Sequence, residues 1–359
     1  MSARRVTIAI CVILFLDSMA YAIVLPALSM SYGSGLAVGG LFALYSLCQL
    51  FSAPLLGRLS DRWGRRPVLL LSQSATVVSL AILALPYYRM AVISRMLDGV
   101  TAGNSPVAYA AALEQHESTT WNRVLGWLAS AGGLGVLAGI GVATLFGGDL
   151  RSAAVAGIVV SILSVAATFI LLPKEKPRKA APVRLLDLGS FRRARSAILG
   201  GAAQSAAILP LPAVLVAMGS TPTNAVRIGF LGLLLTAAGQ SVLVPLALRM
   251  RPALAGAGAC LSLLGGALLF SVAPVPASAL LLLGAVVTVA LGRAATLHRL
   301  GDAGVGAASG LTTTATTVGQ LVGPLVGFGL LELSPILALS APVLLGLCTW
   351  MSLKSTGHD

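Results

Sequence analysis

Apolar residues fill this chain in long runs, separated by short stretches where charge, Gly or Pro collect. The runs lie at about 6–29, 36–57, 68–86, 88–112, 122–147, 152–172, 194–218, 225–248, 253–273, 276–296, 304–330 and 334–353. A helix needs about 20 apolar residues to cross a hydrocarbon core about 30 Å thick. A backbone in lipid must also satisfy its own hydrogen bonds, so helices are the expected element. The pattern predicts an all-α polytopic membrane protein with twelve transmembrane helices. Arg4 and Arg5 precede the first run in the manner of a leader, but that run extends to about Ser29. It is too long for a cleaved apolar core and is expected to be the first transmembrane helix.

The longest polar interruption begins at Pro173 and ends near Arg195, and it leaves six runs on either side. The expected organisation is an N-terminal six-helix bundle over 1–172, a basic cytoplasmic linker over 173–193 and a C-terminal six-helix bundle over 194–359. With the N-terminus inside, Arg89, Arg151 and Arg227 fall in outer connections and Arg95 within a span. The remaining basic residues face the cytoplasm, which places both termini there. The halves share an echo. Gly135-x-x-x-Gly139 in the fifth run is matched by Gly319-x-x-x-Gly323 in the eleventh, the fifth of its half. Small residues at this spacing let helices approach closely, and two related halves are a common plan for carriers.

Composition narrows the function. The chain is 57% hydrophobic and 10% charged, whereas soluble domains carry about 25% charged residues. The net charge of +13 raises nucleic-acid binding, but the basic residues sit in short clusters between apolar runs, as topology requires, so no nucleic-acid partner is expected. Cys11, Cys48, Cys260 and Cys348 stand singly inside apolar runs, and His116, His298 and His358 lie far apart. No metal site and no cofactor are expected. With no nucleotide-binding loop, energy must come from a gradient.

Three ionisable residues fall deep in the runs: Asp17, Arg95 and Asp98. Asp17 lies about 16 Å and Asp98 about 15 Å into their helices at a rise of about 1.5 Å per residue, close to the midplane. A charge there costs at least about 2.5–3.5 kcal/mol, so such residues are functional candidates. Arg95 and Asp98 stand at i and i+3 and are expected to pair. Tyr21 lies one turn after Asp17, and Ser105 and Tyr109 continue the stripe from Asp98 by helical phase. Gln204 and Gln240 are further candidates for substrate. Thr312, Thr313, Thr314, Thr316, Thr317 and Gln320 either line a cavity or bond back to their own helix. Arg293 and His298 read as topology residues. No nucleophile or metal-ligand cluster supports an enzyme, and Arg95 beside Asp98 argues against a proton-sharing acid pair.

Between the second and third runs the chain reads Gly57-Arg58-Leu59-Ser60-Asp61-Arg62-Trp63-Gly64-Arg65-Arg66-Pro67. This resembles the signature loop of the major facilitator superfamily. The resemblance implies the major facilitator fold, a monomer, and a cytoplasmic latch in which Gly57, Asp61, Arg62, Gly64, Arg65 and Arg66 gate transport. Gly57 and Gly64 are expected at tight turns, and Asp61 is expected to pair with an arginine and to meet the N-terminus of the eleventh span. The stretch Asp17 to Pro26 and the segment Arg95-x-x-Asp98-Gly99 are similar to twelve-span drug:proton antiporters, the tetracycline exporters among them, with Asp98 where those carry Gln. Such antiporters have Gly-Pro in the fifth span, and here Ile140 follows Gly139.

Together these readings point to a secondary transporter of small organic molecules in a bacterial inner membrane, with efflux driven by protons. Asp17, desolvated and without a fixed partner, is expected to bind a proton reversibly, in competition with substrate for one cavity. A siderophore or other metabolite carrier, or a sensor without flux, are the alternatives.

Overall fold

The structure is a computed structural model, and it describes residues 3–32, 35–102, 104–116, 121–173, 192, 194–299 and 305–354. Most of the 173–193 linker and residues 300–304 lie outside the described residues. Fourteen α-helices and no strand occur among those described. They are α1 (Ala3–Ser29), α2 (Gly35–Trp63), α3 (Arg65–Leu83), α4 (Tyr88–Val100), α5 (Asn104–Leu113), α6 (Trp121–Ala143), α7 (Leu150–Leu171), α8 (Arg195–Ile208), α9 (Leu211–Ala217), α10 (Pro222–Arg249), α11 (Pro252–Leu269), α12 (Pro274–Arg299), α13 (Val305–Leu333) and α14 (Pro335–Lys354). Eight are long and apolar enough to cross a membrane, and a ninth span results if α8 and α9 count as one.

Every apolar run is helical, but two runs are broken. The run at 88–112 divides into α4 and α5 after Thr101, and the run at 194–218 bends by 41° between α8 and α9. Pro210 and Pro212 account for the second break, since a proline removes one helical donor and clashes with the preceding turn. At the first break, two backbone carbonyls take side-chain donors from neighbouring helices. Ser52 Oγ of α2 donates to the Gly99 carbonyl at 2.7 Å, and Ser72 Oγ of α3 donates to that of Thr101. Prolines also open α10, α11, α12 and α14, where the missing donor costs nothing.

The expected loop between the second and third runs contracts to one residue. Gly57, Asp61 and Arg62 are in the last turns of α2, and Arg65 and Arg66 open α3. Gly57 is therefore helical rather than at a turn. Gly64 alone makes the corner, with φ of 94°, in a region L-residues avoid.

The chain forms two compact units, residues 1–31 with 47–183, and residues 32–46 with 184–359. In unit 1, α1 packs against α6, α7 and α5, while α3 packs against α7, α4 and α5. In unit 2, α8 packs against α13, α12 and α14, while α11 packs against α12 and α14. The first part of α2 belongs to unit 2, where Phe42 stacks on Phe328 of α13 at 5.9 Å. The glycine echo has one physical meaning in both units. A Cβ on Gly139 would stand 2.8 Å from the Ala22 Cβ of α1, and one on Gly319 would stand 2.7 Å from the Ala202 backbone nitrogen of α8. Each pair thus lets the fifth helix of a unit lie directly on the first.

Candidate functional site

The apolar helices of unit 1 bury a polar cluster that α1, α3, α4 and α7 build together. On α4, Arg95 Nη1 lies 3.4 Å from Asp98 Oδ2, and the two side chains are only 3% and 8% exposed. The i, i+3 spacing predicted this pair. It is sealed against α3, whose Thr76 Oγ1 donates to Asp98 Oδ1 at 2.9 Å. Farther along α3, the Ser79 hydroxyl donates to the Ser94 carbonyl at 2.8 Å.

Asp17 has a different environment. It is half-buried, and its described partners are uncharged. The Ser164 hydroxyl of α7 donates to Oδ1 at 2.5 Å, and the Gln73 amide of α3 donates to both carboxylate oxygens at 3.2 Å. Gln73 also donates to Ser164 Oγ at 3.0 Å, so three helices converge on one acid. The expectation that Asp17 lacks a fixed partner is corrected here: it has neutral partners but no ion pair. Asp98 and Asp17 lie within electrostatic reach of each other, as does Tyr21 with both Arg95 and Asp98.

The structure does not extend the stripe as helical phase suggested. The break after Thr101 resets the phase, and Tyr109 packs against the apolar cluster of Ile10, Ile13, Val107 and Leu128. The side chains of Ser105, Gln240 and His298 lie outside the described residues. Gln204 is half-buried on α8 of unit 2. On α13, Thr316 and Thr317 donate to their own helix at the Thr312 and Thr313 carbonyls, and Arg293 donates to Thr316 Oγ1 at 3.2 Å. Arg293 is thus a helix-to-helix contact as well as a charge.

At the α2–α3 corner Arg65 joins Asp61 at 2.7 Å and Glu114, just past α5, at 2.5 Å. Its guanidinium also donates to Ser60 Oγ. Arg66 reaches across to the Phe169 carbonyl of α7 at 2.5 Å and lies over that ring at 4.8 Å. Arg62 is exposed. The corner therefore ties α2, α3, α5 and α7 of one unit. The expected meeting of Asp61 with the eleventh span falls on residues outside those described.

A family model described as Major Facilitator Superfamily matches residues 7–350. The chain belongs to the Major Facilitator Superfamily. Among curated members of this superfamily, it is 35% identical over 136 residues to the class B tetracycline resistance protein of Escherichia coli, covering 36% of this chain and 34% of that one. It is 33% identical over 162 residues to the class C protein of the same organism. The chain spans 28% to 41% of the length of the first such relatives. Among solved structures, a human organic anion transporter, MFSD10 (TETRAN), superposes with a TM-score of 0.70 at 21% identity, covering 98% of this chain and 100% of that one. The likeness shows a shared major facilitator fold.

Sequence reasoning about this superfamily member missed Gln73, Thr76, Ser164 and Glu114. The one available signal was that Gln73 interrupts an apolar run two turns after the signature motif.

Proposed function

We propose that this protein is a proton-coupled secondary transporter of small organic molecules, with Asp17 as the group that carries the proton. The observation behind this reading is the contrast between two buried acids. Asp98 is neutralised by Arg95 and sealed against α3. Asp17 is half-buried and is held by neutral donors, so its charge at membrane depth is balanced only when it takes up a cation, and the proton is the smallest. Cyclic uptake and release at Asp17 then couples a proton gradient to substrate movement, as alternating exposure of one site requires. The sealed Arg95–Asp98 pair fixes α4 beside that site, and Tyr21, one turn after Asp17 on α1, lies within electrostatic reach of the pair.

The reading includes twelve spans, two six-helix bundles over 1–172 and 194–359 with a cytoplasmic linker over 173–193, cytoplasmic termini, a monomer and a bacterial inner membrane. The tetracycline resistance relatives support efflux of drug-like molecules. Ile140, where drug:proton antiporters carry proline, favours a second reading, a carrier for one metabolite such as a siderophore, in either direction. Tyr21, Gln204 and Gln240 are the proposed substrate contacts, and the α2–α3 corner is the proposed gate. The test is flux in reconstituted vesicles with an imposed pH gradient, using tetracycline, lipophilic cations, organic anions and iron chelators. Gradient-dependent flux of any of these supports the reading. Flux that ignores the gradient removes proton coupling, and the transported compound decides between drug and metabolite.

A further inference from the structure

Asp17 sits on a seam between α3 and α7 in which three buried hydroxyls of α7 do not bond back to their own helix. Most buried serines and threonines of the apolar helices bond back to their own helix: Thr236 to the Gly232 carbonyl, Thr288 to Gly284, Thr349 to Leu345. Such back-bonding is the ordinary way to satisfy a hydroxyl in lipid. On α7, Ser161, Ser164 and Thr168 break this habit. Ser164 turns to Asp17 and Gln73. The hydroxyls of Ser161 and Thr168 are buried and have no hydrogen-bond partner, and the same holds for Gln73 Oε1. These residues are 3%, 0% and 1% exposed.

The three hydroxyls follow one another at intervals of three and four residues, so they share one face of α7. Neighbours on that face stand about 4.5–6 Å apart along the axis. A single water bridges such a gap with two hydrogen bonds of about 2.8 Å, and buried water needs two to four polar partners. Ser164 Oγ, Thr168 Oγ1 and Gln73 Oε1 are the polar atoms that the seam offers. The seam runs on to the end of α7, where Arg66, two turns before Gln73 on α3, holds the Phe169 carbonyl and keeps a buried Nε without a partner.

We propose that the α3–α7 seam is a water-holding proton path from Asp17 to the gate corner at Arg66, bypassing the Arg95–Asp98 pair. The proposal rests on Asp17 being the proton-carrying group. Gln73 completes the path by turning its amide. With Asp17 ionised, Nε2 donates to the carboxylate; with Asp17 protonated, the acid O–H donates to Oε1, the atom that otherwise lacks a partner. No covalent bond other than O–H is made or broken, and each proton accepted by a water or hydroxyl oxygen releases one on its far side. The charged group within electrostatic reach of Asp17 is Asp98 on α4, itself paired with Arg95, and Tyr21 follows one turn along its own helix. Within one turn of Gln73 and Ser164, α3 and α7 carry no titratable group, and among the described residues of α6 no titratable side chain faces it.

The test needs no substrate. In the full chain in lipid, infrared difference spectra after a pH step report the protonated carboxyl of Asp17, assigned by its absence in Asp17→Asn. In Thr168→Val, which keeps shape and removes the hydroxyl, the band is expected to reach its wild-type amplitude at every pH but about 100-fold more slowly, the low end for a positioned proton-transfer group. Ser161→Ala, off the path beyond Ser164, is expected to leave the rate unchanged. A Thr168→Val rate equal to wild type overturns the path. A change in equilibrium amplitude without a change in rate makes Thr168 a packing residue and also overturns it. A band that responds to sodium at constant pH, and not to choline, makes the seam a cation site instead. The absence of any titrating Asp17 band in the wild type sinks the proton-coupling reading itself, and the path with it.

Discussion

The two units share a skeleton and differ in chemistry. In each, a fifth helix lies on the first through two glycines four residues apart, α6 on α1 and α13 on α8. Aligning these contacts sets Phe15 against Ile198 and Met19 against Ala202. By that register Gly200 stands where Asp17 stands, and Gln204 where Tyr21 stands. Unit 2 therefore keeps the packing and drops the acid. The ion pairs Arg65–Asp61, Arg65–Glu114 and Arg95–Asp98 all lie in unit 1. The repeated skeleton is a packing solution, and the proposed proton chemistry belongs to one copy of it.

The largest effect is expected where unit 1 departs from unit 2. Arg95→Met leaves Asp98 charged, buried and unpaired, a loss of about 3–5 kcal/mol, whereas Gln204→Leu in unit 2 is expected to cost less than about 1.5 kcal/mol. Thermal melting in detergent measures both. Restoring neutrality in Arg95→Met with Asp98→Leu is expected to recover most of the loss; no recovery means that the pair serves more than charge balance.

Next come the glycines, where the units are expected to agree. Gly139→Val and Gly319→Val each force side-chain atoms onto the backbone of the first helix of the unit, at about 1–3 kcal/mol or more. Equal penalties support a repeated skeleton. A large penalty in one unit alone breaks the comparison.

The smallest effect is at helix caps. Asp149 opens α7 by accepting from the Ser152 backbone at 2.9 Å, and Thr221 opens α10 by accepting from Asn224 at 3.3 Å. Alanine at either is expected to cost about 1 kcal/mol. Only the first cap is pH-sensitive. Hydrogen bonds from Ser152, from its side chain first and then its backbone, hold the Asp149 carboxyl below the usual carboxylate range. Its contribution is present above the unfolded value of about 4 and is lost as pH falls through the lower folded value. Thr221→Ala is expected to cost the same at every pH, and melting at pH 7 and pH 3 separates the two.

Much of the skeleton was legible because lipid leaves so few options. Long apolar runs had to be helices, the i, i+3 spacing of Arg95 and Asp98 had to bring them together, and the glycine echo marked the close approaches. The seam was not legible, because Gln73 and Ser164 reach Asp17 across 56 and 147 residues. A lone glutamine or serine in an apolar run leaves no periodic trace. The break after Thr101 also escaped notice, since Ser52 and Ser72 make it tolerable from other helices. It misdirected the reading of Tyr109, which a continuous helix would have placed on the face of Asp98.

Asp17→Asn tests the central claim most directly, read in two assays on the same vesicles: uptake driven by a pH gradient, and exchange of labelled for unlabelled substrate at equal pH. Loss of gradient-driven uptake by about 100-fold or more, with exchange retained, is the expected result. Gradient-driven uptake that survives in Asp17→Asn would contradict the account, and the proton would then have to be carried elsewhere than in the acid that unit 1 holds with neutral donors.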